Sequence, residues 1–380
     1  MKTRILSLII LVLTYACKEN VATKPSKNVL TTSITYAKGF ELSKREGYTL
    51  LTIKTPYPNS AETYQFALVP KNQNIKPVVE GIDLDGIIET PVARIVVTST
   101  THIPSLDMLG TLSTLVGFPN TEYISSPTAR AAVDKGSIVE LGQNEAINTE
   151  LTIDLNPEVV VAFGVDNKSS ALTTVARAGI PILYNGDWVE QHPLGKAEWI
   201  KFFGALYDKQ DAATAIFNDI ENEYLAAKKL ALTTEQKPTV LSGAMYKDVW
   251  YLPYGNSWAG QLIKDANAKY LWGDTKGSGS ISLSIEAVIE KGQTADFWIA
   301  PGQYASYTDL TNANPVYKEF DAFKNKKIYN YAEAKGATGG MLYYELAPNR
   351  PDLVLKDIVY HLHPDVLKDY TPTFFTSIRE

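Results

Sequence analysis

The first group of residues able to grip a polar ligand is Ser99-Thr100-Thr101-His102, which follows a short apolar run at 95–97. Hydroxyls donate to and accept from ligand oxygens. His102 can meet a metal centre, although a lone imidazole more commonly serves as a hydrogen-bonded structural group. Asp187-Trp188 follow a second apolar run, and Arg350 offers a guanidinium to an anionic ligand, with Asp352 and Glu345 as competing partners. Aromatic rings are the larger resource, with 22 Tyr, 12 Phe and 6 Trp. Tyr246, Trp250, Tyr251 and Tyr254 crowd the stretch after 239–241, Trp272 precedes a glycine-rich turn, Tyr304 and Tyr307 follow 297–299, and Tyr331, Tyr343 and Tyr344 come later. Rings in such loops suit flat conjugated or catecholate ligands.

The groups that catalysis would need are missing from this pattern. There is no Gly-x-Ser-x-Gly, no His-Glu-x-x-His, and the run Gly277-Ser278-Gly279-Ser280 lacks the Lys of a phosphate cradle. Asp154 and Glu158 are separated by Pro157 and read as a turn, not an acid–base pair. Cys17 is the single Cys, so disulfides and Cys-based zinc sites are excluded. The His residues at 102, 192, 361 and 363 do not cluster. The expectation is a binding protein, not an enzyme, with no cofactor of its own. A net charge of −6 without a basic cluster argues against a nucleic-acid partner.

The elements that must position these groups are strands alternating with helices. Apolar runs at 95–97, 159–163 and 180–184, with helical spacing at 106–115 and 170–178, describe parallel strands with crossover helices. From 194 to 232 the sequence reads as two helices and no strand. The second has apolar positions Ala213, Ile216, Phe217, Ile220, Tyr224 and Ala227 and a charged opposite face. Alternation resumes with strands at 239–241 and 297–299, helix 257–266 between them, and a closing helix at 353–361. Ahead of this lies a β-rich stretch, with strand-like runs at 48–53 and 64–69 around a Pro-Tyr-Pro-Asn turn. The expected fold is α/β: two Rossmann-like α/β lobes joined by a long rigid helix, with a small N-terminal β module.

The N-terminus carries an address. Lys2 and Arg4 precede an apolar run at 5–16 that is too short to span a bilayer and has the length of a secretory signal. Leu13-Thr14-Tyr15-Ala16-Cys17 resembles a bacterial lipobox, in which Cys17 becomes the lipidated first residue. The expected division is 1–16 signal, 17–31 lipidated tether, 32–90 N-terminal β module, 91–190 first lobe, 191–235 bridging helices and 236–380 second lobe.

Several segments from Arg94 to His363 together resemble the periplasmic binding proteins for ferric siderophores, haem and cobalamin. They are Arg94-Ile95-Val96-Val97-Thr98-Ser99 with Leu106-Asp107-Met108-Leu109-Gly110, residues 148–163 with their Asn-Pro-Glu, Ala178-Gly179-Ile180-Pro181-Ile182, residues 256–263 with 267–272, and Arg350-Pro351-Asp352 through His363-Pro364. His192-Pro193-Leu194-Gly195-Lys196-Ala197-Glu198-Trp199-Ile200 resembles a segment common in the Bacteroidetes-type branch. The resemblance implies a monomeric, lipid-anchored substrate-binding protein in the cell envelope, on the periplasmic side or the cell surface. It would capture a metal chelate between two lobes and deliver it to an ABC permease dimer, touching the membrane through its lipid alone. It also implies that Glu150 and Glu286, one per lobe, meet basic residues of the permease. Each stands early in a short helix, where the helix dipole favours a carboxylate. Two other readings stay open. One is a same-fold binder of bare metal ions. The other is a surface lipoprotein that hands its ligand to an outer-membrane receptor, to which Lys18-Glu19 after Cys17 partly corresponds.

Overall fold

The computed structural model describes residues 30–380 apart from 32, 74, 76, 78–82, 145, 167–168 and 278. The signal segment, Cys17 and Lys18-Glu19 lie outside the described residues.

The first lobe is built on five parallel strands in the order Ile182–Tyr184, Val159–Ala162, Ile95–Val97, Leu115–Phe118, Val139–Glu140. Every residue of Ile95–Val97 and Val159–Ala162 is buried, as expected of strands covered on both faces. Alternate side chains serve opposite layers. Val96 and Val160 pack with Leu172 and Val175 of helix Ser170–Arg177. Ile95, Val97, Val159 and Val161 instead join the layer that holds Phe202, Phe203 and Leu206. The helix expected over 106–115 is shorter: Ile103–Met108 is helical, Leu112–Thr114 is a 3₁₀ turn, and Leu115 already opens a strand.

The second lobe repeats the plan, with strand order Lys269–Tyr270, Thr239–Ser242, Phe297–Ile299, Ile328–Asn330, Thr376–Ser377, the last antiparallel. A small antiparallel sheet of Ala244–Tyr246, Val249–Pro253 and Ser280–Leu283 is added to it. Helix Gln210–Ala231 joins the lobes, and its 22 residues extend about 33 Å at 1.5 Å per residue. Its buried stripe, Ala213, Phe217, Ile220, Tyr224, Ala227 and Ala231, packs on helices Ile200–Leu206 and Pro351–Leu362. Tyr224 donates to Asp265 at 2.7 Å, and Lys228 pairs with the same carboxylate at 2.9 Å, which ties the helix to the second lobe.

The N-terminal module is a five-stranded sheet, larger than the hairpin expected from sequence: Leu30–Thr31, Phe40–Lys44, Thr49–Ile53, Tyr64–Pro70 and Gly86–Thr90. Leu30–Thr31, assigned to the tether from sequence, pair with Lys44 and Ser43. The sheet buries Phe40, Leu42, Leu51, Ile53 and Phe66 in the core shared with the helices that follow His192. Phe40 sits 4.5 Å from Trp199 and 6.1 Å from Phe202 between ring centroids. Helices Pro193–Glu198 and Ile200–Leu206 are therefore buried along their whole length. Their charged residues are satisfied inside. Glu198, fully buried, accepts the backbone N–H groups of Thr35, Tyr36 and Ala37 at 2.7–3.0 Å and pairs with Lys201 at 2.8 Å. Glu190 accepts those of Lys38 and Gly39, both at 2.8 Å, and the indole N–H of Trp199 at 3.2 Å. Tyr36 donates to Glu221 of the bridging helix at 2.6 Å. Two buried carboxylates thus hold five successive backbone N–H groups of residues 35–39.

Candidate functional site

Ligands of parallel sheets bind beyond the carboxyl ends of the strands. Here those ends face a crevice between the lobes. Its main chamber has a volume of about 550 Å³. The first lobe supplies Ser99 and Thr100 after strand Ile95–Val97, Phe118, Asn120 and Tyr123 around the end of Leu115–Phe118, and Phe163 after Val159–Ala162. The second lobe supplies Gln303, Met341 and Tyr344. None of the lining residues is charged: the polar groups are hydroxyls and side-chain amides, and the rest is aromatic or apolar. Tyr123 and Tyr344, one from each lobe, are 58% and 47% exposed, so both rings are free to meet a guest.

A second chamber of about 400 Å³ is lined by Trp188, Val189, Glu190, Gln191, Trp258 and Ala259. Rings connect the two. Phe163 lies 5.1 Å from Trp188, and Trp258 stacks at 5.9 Å on Tyr343, the neighbour of Tyr344. Lys196 braces this junction. Its ammonium, buried, donates to the carbonyls of Asp187 and Trp188 at 3.0 and 3.1 Å and lies 5.4 Å from the Trp258 ring. Burial lowers its pKa to about 8, against the pull of Asp187 and Glu190. One cation on helix Pro193–Glu198 therefore holds the backbone of Asp187 and Trp188 and faces the Trp258 indole of the second lobe.

The structure separates the residues expected at the site. Ser99, Thr100 and Trp188 line the chambers. Thr101 stands beside them, its hydroxyl 3.0 Å from that of Ser99. His102 does not reach the crevice. It is fully buried, 5.7 Å from Phe203, with neither ring nitrogen hydrogen-bonded, and burial lowers its pKa to about 4, so it is a neutral core residue. Asp187 is also buried and lines neither chamber. Trp250 is fully buried, stacked 5.3 Å from Trp298, and Trp272 packs near Tyr270 with Lys291 over its ring. Tyr246 and Tyr251 are exposed on the added small sheet, away from both chambers. The stretch after Thr239–Ser242 is a hairpin, not an open loop, so its side chains alternate: Trp250 and Leu252 point in and Tyr251 points out. Tyr254 packs over Gly277, and Tyr304 near Tyr317 at 6.2 Å, rather than lining either chamber. Arg350 is engaged with Asp352 through two hydrogen bonds of 2.9 and 2.7 Å and lines neither chamber.

Phe118, Tyr123, Phe163 and Met341 were not expected at the site from sequence, whereas Tyr344 stood among the later aromatics. Phe118 and Phe163 close their strands, and the strand-end rule applied to the first lobe would have found them. Among the described residues no three His, Cys, Asp or Glu side chains are grouped to hold a metal ion.

Glu150 and Glu286 occupy equivalent places. Glu150 is in the first turn of Thr149–Asp154, capped by Asn148, and Glu286 in the first turn of Ile285–Gly292, capped by Ser284. Each helix leads into the strand that pairs with its lobe's opening strand. Both carboxylates are exposed.

Comparison with known proteins agrees with this architecture. An uncharacterized lipoprotein of Methanocaldococcus jannaschii is 25% identical over 298 residues, covering 76% of this chain and 69% of the relative. A possible iron-binding (periplasmic solute-binding) protein from Staphylococcus epidermidis superposes with a TM-score of 0.56 at 19% identity, covering 72% of this chain and 100% of that one. A periplasmic heme binding protein from Pseudomonas aeruginosa gives 0.56 at 16% identity, covering 76% and 99%. No helix among the described residues is long and apolar enough to cross a membrane. Residues 95–334, well over half of the chain, match the family model described as periplasmic binding protein. With two parallel-sheet lobes, a bridging helix and a crevice between their strand ends, the chain belongs to the periplasmic binding protein family.

Proposed function

We propose that this protein is the substrate-binding lipoprotein of an ABC importer, anchored through Cys17, and that its ligand is a bulky metal chelate: a ferric siderophore, haem or cobalamin. The observation that carries this reading is the uncharged, ring-lined main chamber of the crevice between the lobes. Its volume and its mixture of rings with a few hydroxyl and amide groups suit a large ligand that brings its own metal coordination. Titration with haem, a ferric hydroxamate and cobalamin, followed by tyrosine and tryptophan quenching, tests it. Sub-micromolar binding of at least one is expected, equivalent to about 8 kcal/mol or more. Silence across the panel alongside tight binding of bare zinc or manganese would overturn it.

Delivery to a permease rests on Glu150 and Glu286, exposed and equivalent on the two lobes. Charges at a docking rim act chiefly on association and its salt dependence. Glu150→Arg with Glu286→Arg is expected to leave chelate affinity intact and to abolish importer-dependent uptake. Unchanged uptake by the double variant would leave both residues as helix-start acids and favour release to an outer-membrane receptor. Cys17→Ala is expected to move the protein from the membrane fraction to the soluble extract.

A further inference from the structure

Besides the bridging helix, a stretch of the second lobe, residues 336–349, joins the lobes. It belongs to the second lobe by chain and to the first by hydrogen bonding. Glu345, on helix Leu342–Leu346, is buried and accepts the backbone N–H groups of Ser125 and Ser126 at 2.6 and 2.9 Å. Ser126 caps helix Pro127–Asp134, so the carboxylate sits at that helix's positive end. Asn349, also buried, accepts from the Ser105 hydroxyl and donates to the Thr101 carbonyl, both at 2.8 Å. Thr338 donates to the Glu122 carbonyl at 2.8 Å.

At two points between these attachments the contact is backbone on backbone, while helix Leu342–Leu346 packs on residues 100–108. A Cβ at Gly340 would lie 2.2 Å from the Tyr123 carbonyl oxygen, and one at Gly336 would lie 2.6 Å from Ser125 Cα. At those two points no side chain interlocks, so that part of the contact has little packing to undo when the faces separate. The same stretch contributes Gly339, Gly340, Met341 and Tyr344 to the crevice, so it forms the crevice's second-lobe wall. Glu345 has no cation among its partners in the described residues, and the charged group facing it is another carboxylate, Asp107. The Ser125 hydroxyl beside it is buried and unpartnered.

We propose that residues 336–349 are a latch, and that Glu345 is the positioning residue that holds this wall against the first lobe until a ligand enters or leaves. Release exchanges a few hydrogen bonds to backbone for hydrogen bonds to water. The inference rests on the interlobe crevice being the ligand site.

Hydrogen exchange on the ligand-free full chain tests the latch directly. In Glu345→Ala the Ser125 and Ser126 amides are expected to exchange at least tenfold faster, with strand Val159–Ala162 unchanged. Glu345→Gln, which keeps one acceptor oxygen, is expected to fall between, and it decides the matter if the alanine variant fails to fold. Equal acceleration at the strand would mean a general loss of stability, and no acceleration at Ser125 and Ser126 would mean no latch. Either result overturns the proposal. Haem as the probe then tests the link to binding: association and dissociation are both expected to accelerate in the variants, with a smaller change in their ratio. Faster exchange without faster haem kinetics overturns the gating role. Failure of haem to bind even the wild type removes haem as ligand; the same kinetic comparison is then run with the ferric hydroxamate and cobalamin, and wild-type binding of none of the three overturns both the ligand reading and the gating role.

Discussion

Glu198 and Glu345 perform the same act at two joints of the molecule: each is a buried carboxylate that captures backbone N–H groups from a distant segment. Their surroundings differ. Glu198 holds three successive residues of the N-terminal module and has Lys201 beside it at 2.8 Å, and Lys201 also donates to the Ser33 carbonyl. Glu345 holds two N–H groups, faces Asp107, and is pushed by burial up to about 7. An ionised buried group is held firmly only when a counter-charge and enough donors offset its desolvation. The contrast separates a permanent joint from one that opens: the N-terminal sheet is a fixed part of the helical layer, and the second-lobe wall of the crevice is not.

Glu198→Ala is the strongest way to break the contrast. It strands the Lys201 ammonium and the N–H groups of residues 35–37, and about 3–5 kcal/mol of unfolding free energy should be lost in chemical denaturation. A loss under about 1 kcal/mol would put both joints in one class. Glu345→Ala should cost less, about 1–3 kcal/mol, because it removes the acceptor of two N–H groups and strands no cation.

The next effect is read from pH. Glu345 titrates higher in the folded protein than its ordinary 4.5, because burial favours the neutral acid. Its stabilisation is therefore full below about 4.5 and gone once pH has risen through about 7. His102 has the opposite sign: burial lowers it from 6.5 to about 4, so its contribution is present above 6.5 and lost as pH falls toward 4. Unfolding midpoints of wild type against Glu345→Gln isolate the first effect. Wild type should lose ground to the variant as pH rises through that window, and parallel curves would remove Glu345 as the titrating group. The smallest effect belongs to Tyr36→Phe, which deletes one partly exposed hydrogen bond to Glu221 and should cost about 0.5–1.5 kcal/mol. A cost approaching that of Glu198→Ala would mean that residues 35–39 are held by the bridging helix rather than by the buried carboxylates.

The strands at 95–97, 159–162 and 297–299 were legible because fully buried parallel strands write themselves as unbroken apolar runs. Helix Gln210–Ala231 was legible because one face alone is covered, which leaves a periodic stripe. The crevice was legible in position and only partly in membership. Ser99 and Trp188 follow strand ends and were found. Tyr123 reaches the crevice from a 3₁₀ turn and Tyr344 from helix Leu342–Leu346, which only the packing of the lobes brings together. His102 shares its local sequence with Ser99 and Thr100, yet one step into a 3₁₀ turn sends it into the core, and depth leaves no mark on sequence. Trp250 and Tyr251 did alternate, but in a run too short to distinguish a hairpin from an aromatic loop. Helices Pro193–Glu198 and Ile200–Leu206 carry Lys196, Glu198 and Lys201, which imitate a solvent face. The sheet that covers them comes from residues more than a hundred positions earlier.

That separation bears on how the protein is made. Thr35, Tyr36 and Ala37 are the earliest residues in these contacts to leave the ribosome, and the carboxylate that satisfies them follows 161–163 positions later. Closing so long a loop costs entropy before any contact repays it. An early part of the chain therefore waits for residue 198, and a chain ending before it carries a β-sheet with nowhere to dock.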